Sequence, residues 1–278
     1  LPLFLPAKVT KIVTIHDLVW HKQGQTMRPL SKLMEQVLMP MSLKLADEII
    51  TDSESTRTDL KKKFPSLNKD LHVVYPGVTN MKINTETNLL EKFKILGHFF
   101  LFVGTLEPRK NLIRLLNAYA SVIKNIPNAP KFVIAGEEGW GNLNISEHVQ
   151  QLGVETHVIL TGPVNDQELA SLYNGAMFLA MPSLYEGFGL PLIEAMSFGL
   201  PILTSNVSSM PEVSREAAIL VNPYDQNSIA SGLEILINEE NRRASLSLQA
   251  LSISARFTWQ QSAKQIWDIM QKAVTKSS

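Results

Sequence analysis

Residues 177–205, MFLAMPSLYEGFGLPLIEAMSFGLPILTS, decide how the rest of this 278-residue chain is read. Met177 to Met181 is an unbroken apolar run of strand length. Leu190 to Phe198 reads as a helix with Pro191 in its first turn, where a missing N–H is harmless, and Gly199 as its stop. Pro201 to Ser205 follows as another strand. Apolar strands alternating with helices imply a parallel sheet covered on both faces.

The same alternation extends outward in both directions. Phe99 to Val103, Lys131 to Ala135 and Val158 to Thr161 read as strands, and Leu112 to Ile123 as a helix. Asp166 is expected to cap a helix running through Gly175, and the segment before Val158 has no assignable period. Nearer the start, strands at Val9 to Ile15, Glu48 to Thr51 and His72 to Tyr75 enclose helices at Leu30 to Ala46 and Ser55 to Phe64. Pro40 is expected to kink or divide the first of these helices. Late helices follow Tyr224 and Thr258, and the pattern dissolves into Asn, Thr and Lys between Thr79 and Asn88, the expected linker. The fold class is therefore α/β, with two doubly wound, Rossmann-like units built on parallel sheets.

Composition narrows the function. Lys plus Arg and Asp plus Glu both number 26, so any site for a polyanion is local, and nucleic acid is not an expected partner. With 45% hydrophobic and 19% charged residues, the chain is an ordinary globular sequence. Cysteine is absent, which excludes disulfides, thiolate metal sites and thiol nucleophiles. No apolar run approaches the roughly 20 residues that span a bilayer. The opening run Leu1 to Pro6 has no methionine and neither the basic flank nor the length of a signal peptide, so an N-terminally truncated or processed chain is expected.

Ligands of open parallel sheets bind beyond the carboxyl ends of the strands, which singles out four loops. The first holds His16-Asp17, and the second runs from Gly104 to Asn111 and contains Arg109-Lys110 beside a helix start, an arrangement suited to phosphate. The third runs from Glu186 to Glu194, and the fourth from Asn206 to Glu212. Each has a plainer reading when taken alone: a solvated cation pair, a structural histidine, a turn carboxylate, a surface helix residue. Gly187-Phe188-Gly189 begins a dinucleotide fingerprint but has Leu192 in the third glycine position. A Walker lysine, His-Glu-x-x-His and Asp-x-Asp are all missing, and Asp52-Ser53-Glu54 reads as helix capping.

Taken together, the four loops resemble a known family. Phe102-Val103-Gly104-Thr105-Leu106-Glu107-Pro108-Arg109-Lys110-Asn111, then Pro182 to Met196 with glutamates at 186 and 194, then Met210-Pro211-Glu212-Val213 resemble the donor-binding domain of retaining GT-B glycosyltransferases of family 4, a group that includes many bacterial mannosyltransferases. The likeness extends to Val13-Thr14-Ile15-His16-Asp17-Leu18, to Ala46 through Ser53 and to Phe257-Thr258-Trp259. It departs at Tyr75-Pro76-Gly77-Val78-Thr79, where relatives usually have Asn-Gly-Val-Asp, and in lacking several βα units ahead of the His-Asp strand. The resemblance implies a GT-B fold with an incomplete first unit. Residues 1–84 would be the end of an acceptor-side domain plus linker, 85–255 the nucleotide-sugar domain, and 256–278 a terminal helix returning to the first.

The implied reaction moves a hexose, mannose by preference, from a nucleotide sugar to a glycan or lipid-linked acceptor, with retention and without metal or cofactor. GDP-mannose or a UDP-sugar would be the substrate. Arg109 and Lys110 would stabilise the departing diphosphate, helped by Gly104 and by backbone amides of Gly187, Phe188, Gly189 and Leu190. A unit-charge pair about 4 Å apart is worth roughly 4 kcal/mol at an effective dielectric near 20, enough for two cations to replace a divalent metal. Glu186 would bind sugar hydroxyls, Glu194 the ribose, and His16 would face the sugar from the other domain. The resemblance also implies a cytoplasmic location with peripheral contact at the inner membrane face. Alternatives at this stage are a nucleotide-sugar-binding fragment without transfer activity and a nucleotide-sugar epimerase; the lysine context of a pyridoxal phosphorylase is absent.

Overall fold

The computed structural model describes residues 9–79, 81, 89–124, 126, 128–141 and 143–277. The first unit is a parallel sheet, β1 (Ile12–Ile15), β2 (Glu48–Thr51) and β3 (Leu71–Val73), in that spatial order. Helices α1 (Val19–Lys22), α2 (Pro29–Leu45) and α3 (Glu54–Lys63) connect these strands. Pro40 lies inside α2 without dividing it, so that expectation fails for division. Ser53 caps α3 by accepting from Thr56 N at 3.0 Å, as the sequence suggested.

After α4 (Leu89–Lys92), the second unit alternates β4 (Phe99–Val103), α5 (Leu112–Ile123), β5 (Lys131–Ala135), α6 (Ile145–Leu152), β6 (Val158–Gly162), α7 (Asp166–Gly175), β7 (Leu179–Met181), α8 (Leu190–Ser197) and β8 (Ile202–Ser205). The short α9 (Met210–Ser214), β9 (Ala218–Val221), α10 (Gln226–Asn238) and α11 (Glu240–Ser254) complete it. Its six strands are all parallel in the order β6-β5-β4-β7-β8-β9. Chain direction along the sheet therefore reverses between β4 and β7, the place where a doubly wound sheet opens a crevice. α6 is the segment without an assignable period, and β9 was not foreseen. The cap of α7 is Asn165 rather than Asp166, in a reciprocal capping box with Glu168.

All five residues of β4 are buried, and the ring of Phe100 stacks between Phe132 at 4.5 Å and Phe178 at 4.9 Å, with Tyr119 edge-on at 5.2 Å. This aromatic layer holds the three central strands in register beneath the crevice. The terminal helix α12 (Trp259–Ser277) crosses to the first unit, where Ile266 and Ile269 pack with Ile12, Ile50 and Val74. Val78 N donates to Phe257 O at 2.9 Å and Ser262 Oγ to Tyr75 O at 2.5 Å, so the two chain crossings run side by side. Gly77 permits this contact, because a Cβ there would lie 2.2 Å from Trp259 N. Apart from Thr79 and Met81, the expected linker and the boundary at 84/85 lie outside the described residues. Among the described residues, no helix is long and apolar enough to cross a membrane. Phe100→Ala is expected to cost about 3–5 kcal/mol, measured by equilibrium urea unfolding; a loss below about 1 kcal/mol would mean the aromatic layer is not a keystone of the sheet.

Candidate active site

The loops following β4 and β7 meet at the switch point. After β4 the chain enters a single 3₁₀ turn, Pro108–Lys110, and Asn111 then adopts a left-handed conformation (φ 62°) before α5. Asn111 Nδ2 donates to Pro182 O at 3.0 Å and Pro223 O at 2.7 Å, while Leu184 N donates to Arg109 O at 2.9 Å. The turn is thereby fixed to the loop after β7, and its two cations face that loop instead of solvent.

Their shared target is Glu186. Arg109 Nη1 donates to Glu186 Oε2 at 2.6 Å and to Tyr185 O at 2.8 Å, and Lys110 Nζ donates to Glu186 Oε1 at 2.8 Å. Arg109 Nη2 also pairs with Glu107. Only 6% of Glu186 is exposed. Burial pushes its carboxyl up, but Lys110 and Arg109 outweigh burial and hold it at about 2. Glu107, 2% exposed, is held above the ordinary range because burial outweighs Arg109 and Lys110, and its Oε2 has no hydrogen-bond partner among the described residues. Burial lowers the Arg109 value, but Glu186 and Glu107 more than reverse it.

The loop after β8 holds this arrangement from behind. Ser208 Oγ donates to Glu186 O at 2.5 Å and accepts from Glu186 N at 3.2 Å, and Ser209 Oγ lies 3.0 Å from both Glu186 O and Phe188 O. Ser208 has φ 59°, a left-handed conformation uncommon for serine.

From the other side the first unit closes on Gly187. A Cβ there would lie 2.0 Å from His16 O, so only glycine admits this approach. Ser53 Oγ donates to Gly187 O at 2.6 Å and Thr56 Oγ1 at 3.2 Å. Glu212 receives Glu54 N at 2.7 Å and Ser55 N at 3.0 Å, completing the first turn of α3 from the opposite unit. Tyr185 Oη donates to Asp59 at 3.1 Å, Gln23 reaches Tyr224 at 3.0 Å, and Trp140 Nε1 donates to Thr26 O. The His16 ring is 76% exposed, and its Nδ1 lies 2.6 Å from Asp52; that hydrogen bond, opposed by partial burial, raises its pKa.

The expected residues thus separate into two groups. Arg109, Lys110 and Glu186 form one buried ion-pair cluster, the His16 carbonyl packs against the next residue, Gly187, and Gly104 (φ 144°) closes β4 where a Cβ would lie 3.5 Å from the Lys110 stem. Gly189 (φ 96°) precedes α8, and Leu190, the first residue of that helix, is 44% exposed. The Phe188 side chain is turned away into the joint between units, with ring centroids 6.0 Å from Tyr75 and 5.7 Å from Phe257, so only its backbone is free to face a ligand. Glu194 is half-buried on α8 and accepts from Tyr173 Oη at 3.0 Å; burial, against that hydrogen bond, raises its pKa. Glu186 is the glutamate that pairs with the cations, while Glu194, expected at a different height on the following helix, has Tyr173 as its hydrogen-bond partner. Glu107, Ser208 and the capping role of Glu212 were missed, although all three lie in loops that the strand-end rule marks. Among the described residues, no group of three or more His, Asp or Glu side chains is placed to hold a metal ion.

Because the folded-state value of Glu186 lies below the ordinary 4.5, its ion pairs stabilise fully above that pH and are lost as pH falls through about 2. Lys110→Met is expected to cost about 3–5 kcal/mol at neutral pH by urea unfolding, and the deficit should shrink toward acid. An equal deficit near pH 2.5 would rule out Glu186 as the partner concerned.

Comparison with known proteins matches these features to a family. The family model described as glycosyl transferases group 1 covers residues 91–252. The chain is 32% identical over 173 residues to the O-antigen chain mannosyltransferase B of Escherichia coli, covering 62% of this chain and 45% of that protein. It is 27% identical over 248 residues to a D-inositol 3-phosphate glycosyltransferase of Corynebacterium urealyticum, covering 83% and 58%. It therefore spans about half the length of these relatives. Among solved structures, a sucrose-phosphate synthase of Thermosynechococcus elongatus superposes with TM-score 0.80 at 22% identity over 95% of this chain and 68% of that one. Anabaena HepE in complex with UDP and glucose superposes with TM-score 0.79 at 18% identity over 95% and 72%. These two structural likenesses speak for the GT-B architecture alone. The matched family model, which takes in the loops that carry Arg109, Lys110 and Glu186, places this chain in the glycosyl transferases group 1 family.

Proposed function

We propose that the protein to which this chain belongs is a retaining glycosyltransferase that transfers a hexose, mannose by preference, from a nucleotide-sugar donor to a glycan or lipid-linked acceptor. The observation that carries the reading is the convergence of Arg109 and Lys110 on one buried carboxylate at the switch point. That is an anion site built from two elements adjacent in the sheet but distant in sequence. A leaving diphosphate gains negative charge as the anomeric bond breaks, and fixed cations aimed at that charge lower the barrier without reorganising. Two converging cations supply this stabilisation without a metal ion, and no cofactor enters the proposal.

The relatives support the choice of substrates. The Escherichia coli relatives named as mannosyltransferases favour mannose, whose donor is GDP-mannose; a HepE structure that contains UDP keeps UDP-sugars as the second choice. The exposed His16 ring would face the sugar from the first unit, Glu194 would bind the ribose, and closure would exclude water. No general base is assigned, since in a same-face reaction the departing phosphate itself accepts the acceptor proton.

Thermal unfolding against a panel of sugar nucleotides should show one donor raising the midpoint most, with GDP-mannose expected first. Arg109→Ala and Lys110→Ala should each lower turnover by about 10²–10³-fold in a transfer assay on the full-length protein. Unchanged turnover in either variant would remove that residue from leaving-group stabilisation, and donor binding without any transfer would favour a binding module.

A further inference from the structure

We infer that Asp52 is a positioning residue for His16: its carboxylate takes the Nδ1 proton, so that the ring presents Nε2 at the seam as a hydrogen-bond acceptor for a hydroxyl of the donor sugar. The inference rests on the glycosyltransferase reading, in which the His16 ring faces the sugar, and adds the group that decides how the ring meets it.

The pairing is set by the sheet. β1 and β2 are parallel neighbours with Ile15 opposite Thr51, the last residue of each strand. His16 and Asp52 therefore leave the sheet side by side, at the strand ends where such sheets meet their ligands. Asp52 sits between Thr51 and Ser53, both fully buried, and the Ser53 hydroxyl is engaged by Thr56 N and by Gly187 O. Its carboxylate is 15% exposed and lies 2.6 Å from His16 Nδ1, whereas the ring it reaches is 76% exposed.

A ring so open to water ordinarily turns among rotamers, and ordering it costs entropy. His16 is instead fixed at two points. Its carbonyl lies against Gly187 with Thr56 Oγ1 3.4 Å away, and its ring is tied to Asp52. An ionised carboxylate only accepts, so the proton of the neutral ring is on Nδ1 and Nε2 keeps its lone pair. Free in water, a histidine ring favours the opposite tautomer. Among the described residues no group hydrogen-bonds Nε2, which leaves that acceptor for a ligand.

The charged groups facing the ring are Asp52 at the end of β2 and Asp17 on its own loop, whose carboxylate accepts from Val19 N. Gly187 and Thr56, which meet His16 from the loop after β7 and from α3, are uncharged. The Asp52 hydrogen bond, opposed by partial burial, raises the pKa of the ring. Once the ring takes up a second proton, Nε2 donates and the acceptor is lost. Asp52 thus sets the tautomer, the orientation and the pH at which both cease to serve the sugar.

NMR of the wild-type chain labelled with 15N-histidine, recorded above the His16 pKa, should show Nδ1 protonated and Nε2 bare. In Asp52→Asn, whose amide can either accept from Nδ1 or donate to it, the Nε2–H tautomer should appear. Wild-type His16 with its proton on Nε2 overturns the proposal, and no variant is needed to see it. In a transfer assay on the full-length protein, Asp52→Asn should lower kcat/KM for the sugar nucleotide about tenfold, chiefly through KM, the scale of one hydrogen bond. The acid limb of that profile should move to lower pH, because the carboxylate that favours the imidazolium is gone. In a His16→Ala background the same substitution should cost less than about twofold, since Asp52 acts only through the ring. An equal cost in both backgrounds, or an acid limb that stays in place, overturns the proposal. If the wild-type protein neither binds nor uses any sugar nucleotide, the glycosyltransferase reading fails instead, whatever the tautomer of His16.

Discussion

A carboxylate withdrawn from water stays ionised only if its surroundings replace the lost hydration, and at Glu186 two cations from a separate loop do so. Most of the site follows from that requirement. The turn Pro108–Lys110 must face the loop after β7, so Asn111 takes a left-handed conformation and spends its amide on Pro182 and Pro223. The loop after β8 must support the backbone of Glu186, so Ser208 adopts a strained conformation. Three strand ends are tied together by one charge.

The second constraint is steric. Gly187 sits one residue beyond that charge, and the His16 carbonyl of the first unit occupies the space any larger residue would need. Polar bonds from Ser53, Thr56 and Glu212 then join α3 to the loops after β7 and β8. The buried ion-pair cluster and the seam between units occupy consecutive residues, Glu186 and Gly187, so the packing of one constrains the other.

Much of this was legible in the chain. The alternation of apolar runs with amphipathic ones fixed the layered architecture, because a strand buried on both faces tolerates few polar residues. Proline and glycine at the two ends of α8 marked its limits almost to the residue. The loops that matter were also legible, since parallel sheets place them at strand ends. Less visible was how side chains pair across long separations. Glu186 meets Arg109 and Lys110 from 77 and 76 residues away, and nothing local distinguishes it from Glu194, which turned out to bond to Tyr173. Glu107 was hidden by its neighbours: in a linear reading, a carboxylate two residues before an arginine looks like a surface pair, and only the fold shows it buried. Asn165 and Asp166 are equally good caps by chemistry, and the backbone geometry chose the first.

The position of Phe188 has a mechanical consequence. Its ring is wedged against Tyr75 and Phe257, one on each of the two strands of chain that pass between the units. The residue immediately beside it presses on His16, and the next one back holds the buried charge. Phe188 thus ties the loop that carries Glu186 to both chain crossings between the units.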